Sequence, residues 1–574
     1  MRKLTQSRFA SPPTHRRLAS SLLAGVALAA CAQIPVSDDA ALRDTSAAEI
    51  ATETDTVETS APNPTLEVIA NGANITGANG IYFGPDGLLY VASVVGSDLT
   101  VIDPETSEIV KRYTAEDGVF GPDDVAFASD GAFYWTSILT GEVAGFSTDG
   151  ERIVAAQLSP GSNPITFSDD DRLFVSQCFL GTNVYELDPA GVEAPRLIAD
   201  DLGPGCGLNG MDWGPDDRLY GPRWFHGEVV SLDVDTGERR VEATGFTTPA
   251  AIKFDSEDIL HVLDTGTGEL IRMEADGSKT VLATLTPGLD NFAFDAADTA
   301  YISSYTDGFI KRVNADGSLT ELQPGGMAHP AGLAVIEDTV WVADISAIRG
   351  YDRKTGEEVV TQRNIVGVSE LGGSINLSAD DHVLVLTSWF DGDARVWDPK
   401  TETRLAHVTG LSGPVAAVRY GDGLAVAEHG TSAVTLYGDG DPIVLASGLP
   451  APTGLQVVAG ALYVGDRERG EILKIAQDDV ALAEPEIMAS GLAAPEGFLF
   501  TETGLVVIEA DAARAIHIDA NGDRRVLAEF PAGSPAAPGL PPSQVFNGVA
   551  MDGDGNLFIT GEADRVLYRI AAPW

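Results

Sequence analysis

From residue 79 onward the chain alternates short apolar runs with tight polar turns, and the alternation repeats. The run Asn-Gly-Ile-Tyr-Phe-Gly-Pro-Asp-Gly-Leu-Leu-Tyr-Val-Ala-Ser at 79–93 returns at 209–220 as Asn-Gly-Met-Asp-Trp-Gly-Pro-Asp-Asp-Arg-Leu-Tyr. It returns again at 547–560 as Asn-Gly-Val-Ala-Met-Asp-Gly-Asp-Gly-Asn-Leu-Phe-Ile-Thr. Weaker copies begin near Asp124, Asn163, Ala250, Asn291, Gly332, Ser374, Val415, Thr453 and Glu496, most steps being 38 to 46 residues. Each copy reads as an apolar strand, a turn of Gly, Asp, Ser or Pro, and a second strand rich in Val, Leu, Tyr and Trp. A third strand often ends in Asp-Pro, as at 103–104, 188–189 and 398–399, and a fourth alternating strand follows, as at 108–113. Four short strands per copy is the pattern of a propeller blade.

Twelve copies exceed the blades of one ring, so the repeat predicts an all-β chain of two six-bladed β-propellers in tandem. A division into seven and five stays open. The ends of the chain suggest how the rings close. After the last copy only two more strands fit, 556–560 and 565–570, which leaves blade twelve without an outer strand. The run 65–70 is a strand without a blade. If each ring is closed by an N-terminal outer strand, 65–70 completes blade six, and 318–322 opens the second ring and completes blade twelve. The first propeller then spans 65–316 and the second 317–574. Closure removes exposed sheet edges.

The N-terminus reads as processing signal. Arg2, Lys3, Arg8, Arg16 and Arg17 precede an apolar run at 18–30, too short to span a bilayer and followed by Cys31. Leu28-Ala29-Ala30-Cys31 resembles a bacterial lipobox, which makes Cys31 the expected lipid attachment. The expectation is an exported protein, attached to the membrane through its lipid only, in the outer membrane facing the periplasm or the cell surface. Residues 31–64 are poor in large apolar side chains and read as a flexible tether.

Charge narrows the partners. The chain holds 36 basic and 85 acidic residues, and removing 1–30 takes five basic residues and no acid from a net −49, leaving −54. Such a field repels nucleic acid and favours cations. With Cys31 acylated, Cys178 and Cys206 remain; an oxidising compartment could join them, and neither has zinc-ligand spacing around it.

In a blade the start of strand one and the end of strand two emerge on one face, so polar residues there converge although distant in sequence. In the first ring the starts offer Asn79, Asp123, Asp124, Asn163, Asn209, Thr248, Asp290 and Asn291, and the ends include Thr136, Gln177, Arg223, Asp264 and Ser303. The second ring offers His329, Ser374, Thr453, Glu496 and Asn547, with Asp344, Glu428, Asp466, Glu509 and Glu562 at the ends. Amides and carboxylates are hard oxygen ligands that suit Ca²⁺ or Mg²⁺. Each Asn or Asp alone can equally be a turn cap.

At Asn163-Pro164-Ile165, Asn209-Gly210-Met211, Asp290-Asn291 and Pro495-Glu496-Gly497 the sequence resembles the gluconolactonase, senescence marker protein and paraoxonase superfamily of six-bladed calcium propellers. The resemblance implies metal ligation by Asn79, Asn163, Asn209, Asp290 and Asn291, with Asp290 also the base. Arg223, Asp264 and Asp123 are then placed to meet a small-molecule substrate. The family's opening-blade glutamate corresponds here to Asn79, a departure that removes one carboxylate. His329, Glu496, Glu509 and Asn547 form the alternative site in the second ring. The implied activity is divalent-cation-dependent hydrolysis of lactones or esters. Two other readings stay open: a non-catalytic NHL-type scaffold for a protein partner, and a lyase similar to streptogramin lyases with Mg²⁺. No GxSxG elbow, phosphate loop or dinucleotide fingerprint is present.

Overall fold

The structure, a computed structural model, describes residues 65–533 and 546–574. The expected export signal, Cys31 and the tether at 31–64 lie outside the described residues. All described residues belong to one compact unit.

Among the described residues twelve four-stranded antiparallel sheets carry the fold, joined by tight turns and two single turns of 3-10 helix, Ala115–Asp117 and Ala510–Ala512. The turns follow from local chemistry. Asp103, Asp233, Asp352 and Asp398, at the ends of third strands, each accept backbone N–H groups two and three residues on, which closes the turn into the fourth strand. Turn capping is therefore the shared role of these aspartates.

Two rings of six blades result. In ring one the inner strand Ile81–Phe83 of blade 1 packs beside Leu289–Phe294 of blade 6; in ring two Leu333–Ile336 of blade 7 packs beside Val549–Met551 of blade 12. The blades of ring one are also stapled by aromatic pairs. Phe83, Phe127, Phe167, Trp213, Phe254 and Phe294 end the six inner strands. Each meets a ring on strand two of the preceding blade: Tyr301, Tyr90, Tyr134, Phe174, Tyr220 and His261 respectively, with centroids 4.9–5.6 Å apart. Five are edge-on and Phe174–Trp213 is stacked, the geometries aromatic quadrupoles favour. In ring two only Tyr463–Phe500 repeats this pair among the described residues; aliphatic side chains fill the other seams.

Ring closure departs from the sequence expectation. Blade 6 is completed by its own fourth strand, Leu319–Gln323, which pairs with Ile310–Val313. The strand Leu66–Asn71 instead pairs with Val566–Ile570 and completes blade 12. The run expected to open the second ring therefore ends the first, and the strand expected to close the first ring closes the second. The physical reason is that the outer strand of blade 6 already follows its third strand through a turn at Asn314–Ser318, bonded 2.8 Å across, whereas blade 12 has no local strand to recruit. Ring one, 81–323, is thus inserted between the first strand of ring two and the rest of it.

Candidate functional site

The site is built at the start of each inner strand. Register is broken there in blades 2, 3, 5 and 6, between Pro122 and Val125, Ser162 and Ile165, Pro249 and Ala251, and Leu289 and Phe292. A bulge of this kind re-aims side chains out of the ladder, here toward the channel mouth. By cross-strand register the places equivalent to Asn79 are Asp123, Asn163, Asn209, Ala250 and Asp290. Five of six positions in ring one are thus Asn or Asp. The matching positions of ring two are Ala331, Ile375, Val415, Thr453, Glu496 and Asn547. Thr248 and His329, named from sequence as strand starts, fall two residues short of this place, and Ser374 one.

Hydrogen bonds bring the ring-one set together across blades. Asn79 Nδ2 donates to Asp290 Oδ1 at 3.3 Å. Asn291 Nδ2 donates to Asp124 Oδ1 at 3.4 Å, joining blades 6 and 2 across blade 1. That bond passes Gly80, where any Cβ would collide with Asp124 Oδ1. Burial, then the neighbouring Asp290 and Asp124, push the Asp123 carboxyl well up. Burial and then Asp124 push Asp290 up to about 8. Asp290 nevertheless keeps part of its surface open to the lumen. On the opposite blades Asn163 and Asn209 are 8% and 7% exposed, yet their amides make no hydrogen bond among the described residues. The amide atoms themselves are not sealed from solvent, so both can meet a ligand at the mouth.

The structure separates the expected ligands into two kinds. Asp290, Asn163 and Asn209, with Asp123 beside them, have oxygens to offer. Asn79 Oδ1 already accepts from Val94 N, and Asn291 Oδ1 from Phe292 N. Among the described residues no three His, Cys, Asp or Glu side chains stand close enough to share a metal. A cation in ring one would therefore rest on the two carboxylates and on amide oxygens.

The strand-two ends do other work. Asp264 accepts Thr247 N and Thr248 N at 2.6 and 2.9 Å, and Arg223 Nε donates to Leu202 O at 2.9 Å. Asp344, Glu428 and Glu509 accept N–H groups of Ala328, Ser412 and Ala493 in the same way. Each bond pins the loop that enters its own blade, which consumes Arg223 and Asp264 structurally. One residue earlier, Ser303 Oγ reaches Asn79 O of the next blade at 2.6 Å, and Thr136 Oγ1 reaches Asn163 O. Cys178 and Cys206 are joined by a disulfide between the mouths of blades 3 and 4.

Sequence reasoning passed over the lumen below the mouth. Tyr82, Asp212 and Lys253 occupy the same place three residues into their inner strands. Lys253 Nζ donates to Met211 O at 2.9 Å and lies 5.8 Å from the Tyr82 ring centre. Burial, then Asp212 and Asp124, push the Tyr82 phenol up to about 12, and burial pushes Asp212 up against the pull of Lys253. The available signal was a charge inside an apolar run: Ile252-Lys253-Phe254 and Met211-Asp212-Trp213. Small residues line the inner strands of ring two. Its lumen holds a cavity of about 250 Å³ walled by Gly332, Ala334, Gly454, Gly497, Gly548 and Ala550. At its mouth Glu496 accepts from Asn547 N and Nδ2 at 2.8 and 2.6 Å, and His329 Nε2 stands 3.4 Å from Glu562 Oε1. Burial pushes the His329 imidazole down to about 3. Glu509 is held by Arg514 at 2.7 Å.

No protein-family model matches the chain, and no curated protein matches it. Among solved structures, virginiamycin B lyase from Staphylococcus aureus superposes with a TM-score of 0.36 at 16% identity, over 49% of this chain and 96% of that one. A streptogramin B lyase gives 0.37 at 16%, over 49% and 95%. The extracellular domain of a proposed one-component system from B. thetaiotaomicron gives 0.30 at 11%, over 88% and 82%. At these values the chain is a double β-propeller on the strength of its own strand pairing. No helix among the described residues is long and apolar enough to cross a membrane.

Proposed function

We propose that ring one is a divalent-cation-dependent hydrolase of lactones or esters, related to the gluconolactonase and paraoxonase propellers, with its centre at Asp123, Asn163, Asn209 and Asp290. One observation carries the reading: five of six equivalent positions around one channel mouth are Asn or Asp, and the amides of Asn163 and Asn209 reach solvent there without a protein hydrogen bond. Hard oxygen donors around two mutually repelling carboxylates fit Ca²⁺ or Mg²⁺. The bound cation would supply a Lewis acid for the carbonyl oxygen. Asp290, open to the lumen and oriented by Asn79, is the group that positions a water and takes its proton. Lys253 and Asp212 line the channel below, with Lys253 bonded to Met211 O.

The test is a titration of thermal unfolding with Ca²⁺ against chelator. A ligand bound only by the folded state raises its stability with concentration, by about 2.7 kcal/mol at a hundred times Kd. Asp290→Ala should remove both that rise and lactone or ester turnover, and Glu496→Ala should remove neither. A Ca²⁺ response lost in Glu496→Ala and kept in Asp290→Ala would transfer the centre to ring two. The cluster of Cys178, Cys206, Trp224 and Tyr305 at the ring-one mouth, with Ile365 and Val366 packed against it, favours a second reading, a binding scaffold braced by the cation. Stabilisation by Ca²⁺ without any turnover would select it.

A further inference from the structure

The two halves of the ring-one mouth are held by different means. On the carboxylate side the side chains hold one another, Asn79 bonding to Asp290 and Asn291 to Asp124. On the amide side neither Asn163 nor Asn209 makes a side-chain hydrogen bond among the described residues. The cross-link between Cys178 and Cys206 falls at that seam.

Cys178 follows strand two of blade 3, and Cys206 stands three residues before Asn209. The end of that strand is a beam with a segment bonded along each flank. On one flank Cys178 N donates to Gly161 O at 2.8 Å, and Gln177 Nε2 donates to Ser159 O and Pro160 O at 2.9 and 3.2 Å. Those carbonyls belong to the segment that leads into Asn163. On the other flank Gly207 N donates to Gln177 O and Leu208 N to Ser176 Oγ, each at 2.8 Å. Phe179 N donates back to Gly205 O at 2.7 Å, so this flank is the segment that leads into Asn209. Backbone bonds of this kind recur at other seams, as from Thr265 N to Thr248 O and from Gly288 N to Thr265 O. Among the described residues this seam alone adds a covalent bond.

The cross-link is also anchored from behind. It is buried with Trp224, Ala250 and Tyr305. Trp224 Nε1 donates on to Val366 O of ring two at 3.1 Å, and Asp307, two residues past Tyr305, pairs with Arg349 of ring two at 2.9 Å.

We propose that this beam, residues 176–178 with the cross-link to Cys206, is the positioning element of the ring-one centre. It sets the spacing of Asn163 and Asn209, which no bond of their own fixes, so that both amide oxygens meet one cation. The inference rests on the cation-dependent reading of ring one and names what organises its ligands. Ligands ordered before binding lose less freedom when the cation arrives. Removing a group that orients ligands without touching the metal weakens binding about tenfold to a hundredfold. A disulfide serving stability alone would act on the folding equilibrium and leave the affinity of the folded protein unchanged.

The experiment titrates the whole chain with Ca²⁺ by calorimetry in buffer without reductant, with melting temperatures read in chelator alongside. The ring-one response is the one that Asp290→Ala abolishes. The double variant Cys178→Ala with Cys206→Ala should melt lower in chelator and bind Ca²⁺ about tenfold more weakly or worse. Should that variant not fold, Ser176→Ala decides the matter with the cross-link in place. Leu208 N then loses its acceptor, and the Ca²⁺ Kd should rise about threefold. A lower melting temperature with unchanged Ca²⁺ affinity, in the double variant or in Ser176→Ala where the former does not fold, would overturn the proposal. A wild type that binds neither Ca²⁺ nor Mg²⁺ would overturn the cation reading itself, and the positioning role with it.

Discussion

Asp123 and Asp290 face one another at a depth where two negative charges are costly, and that cost makes their state depend on pH. Burial raises the Asp290 carboxyl from 3.8 to about 8. A group whose folded pKa lies above its unfolded value stabilises fully below the unfolded value, and the contribution is lost as pH rises through the folded one. In chelator the protein should therefore lose stability as pH rises from about 4 to about 8. Calorimetry should find a fall of about 4 °C or more in the melting of ring one. Added Ca²⁺ should flatten that slope by neutralising the pair, and Asp290→Asn should flatten it without Ca²⁺. A slope equally steep in Asp290→Asn would place its origin in the general negative charge. At this scale the sequence revealed which residues gather and concealed which are spent. Nothing in Asp264 or Arg223 tells that a backbone amide or carbonyl sixteen to twenty-one positions back will claim it. Asp123 had the converse fate: it was read as a substrate contact, and its register place puts it among the candidate ligands. Lys253 and Asp212 went unremarked because motif reasoning stops at strand ends, whereas the lumen is lined farther along.

Blades were legible because strand, turn and strand each carry their own chemistry, and that chemistry recurs at nearly fixed spacing. Hydrogen bonds between neighbouring blades reproduce the spacing: Ser129 to Asp171 and Ser256 to Asp298 each span 42 residues. The aromatic staple of ring one is equally visible in retrospect, as an aromatic ending every inner strand from Phe83 to Phe294. It predicts that ring one is held more tightly at its seams than ring two. Phe254→Ala, which removes the edge-on partner of Tyr220 at a half-buried position, should cost about 2 kcal/mol, less than for a fully buried aromatic. Chemical unfolding followed at ring-one tryptophans reads this directly, and a loss under about 1 kcal/mol would show the staple to be incidental. Closure was not legible, because strand 65–70 carries no mark of which unfinished blade it will join. Both candidate partners are alternating strands of ordinary composition, and the choice falls to whichever blade lacks a fourth strand.

At the scale of the molecule, ring one is a complete circle set inside an interrupted one. Removing the strand Leu66–Asn71 should leave blade 12 with three strands and an open edge. Two calorimetric transitions should then separate: that of ring two falling by about 10 °C or more, and that of ring one, identified by its Ca²⁺ response, moving far less. A single transition lowered as a whole would mean that the contacts through Trp224, Asp307 and Arg349 make the two rings one cooperative unit. The same seam also orders events in time. Glu67 and Arg569, paired in the finished protein, stand 502 positions apart. Ring one owns all its strands once Gln323 has been made. The oldest strand of ring two must wait for the youngest, and at roughly 5–20 residues per second the stretch between them, most of the chain, takes about 25–100 s to emerge. For that interval an edge strand made at the beginning stays unmatched, and the last pairing to form joins the first part of the fold to the last.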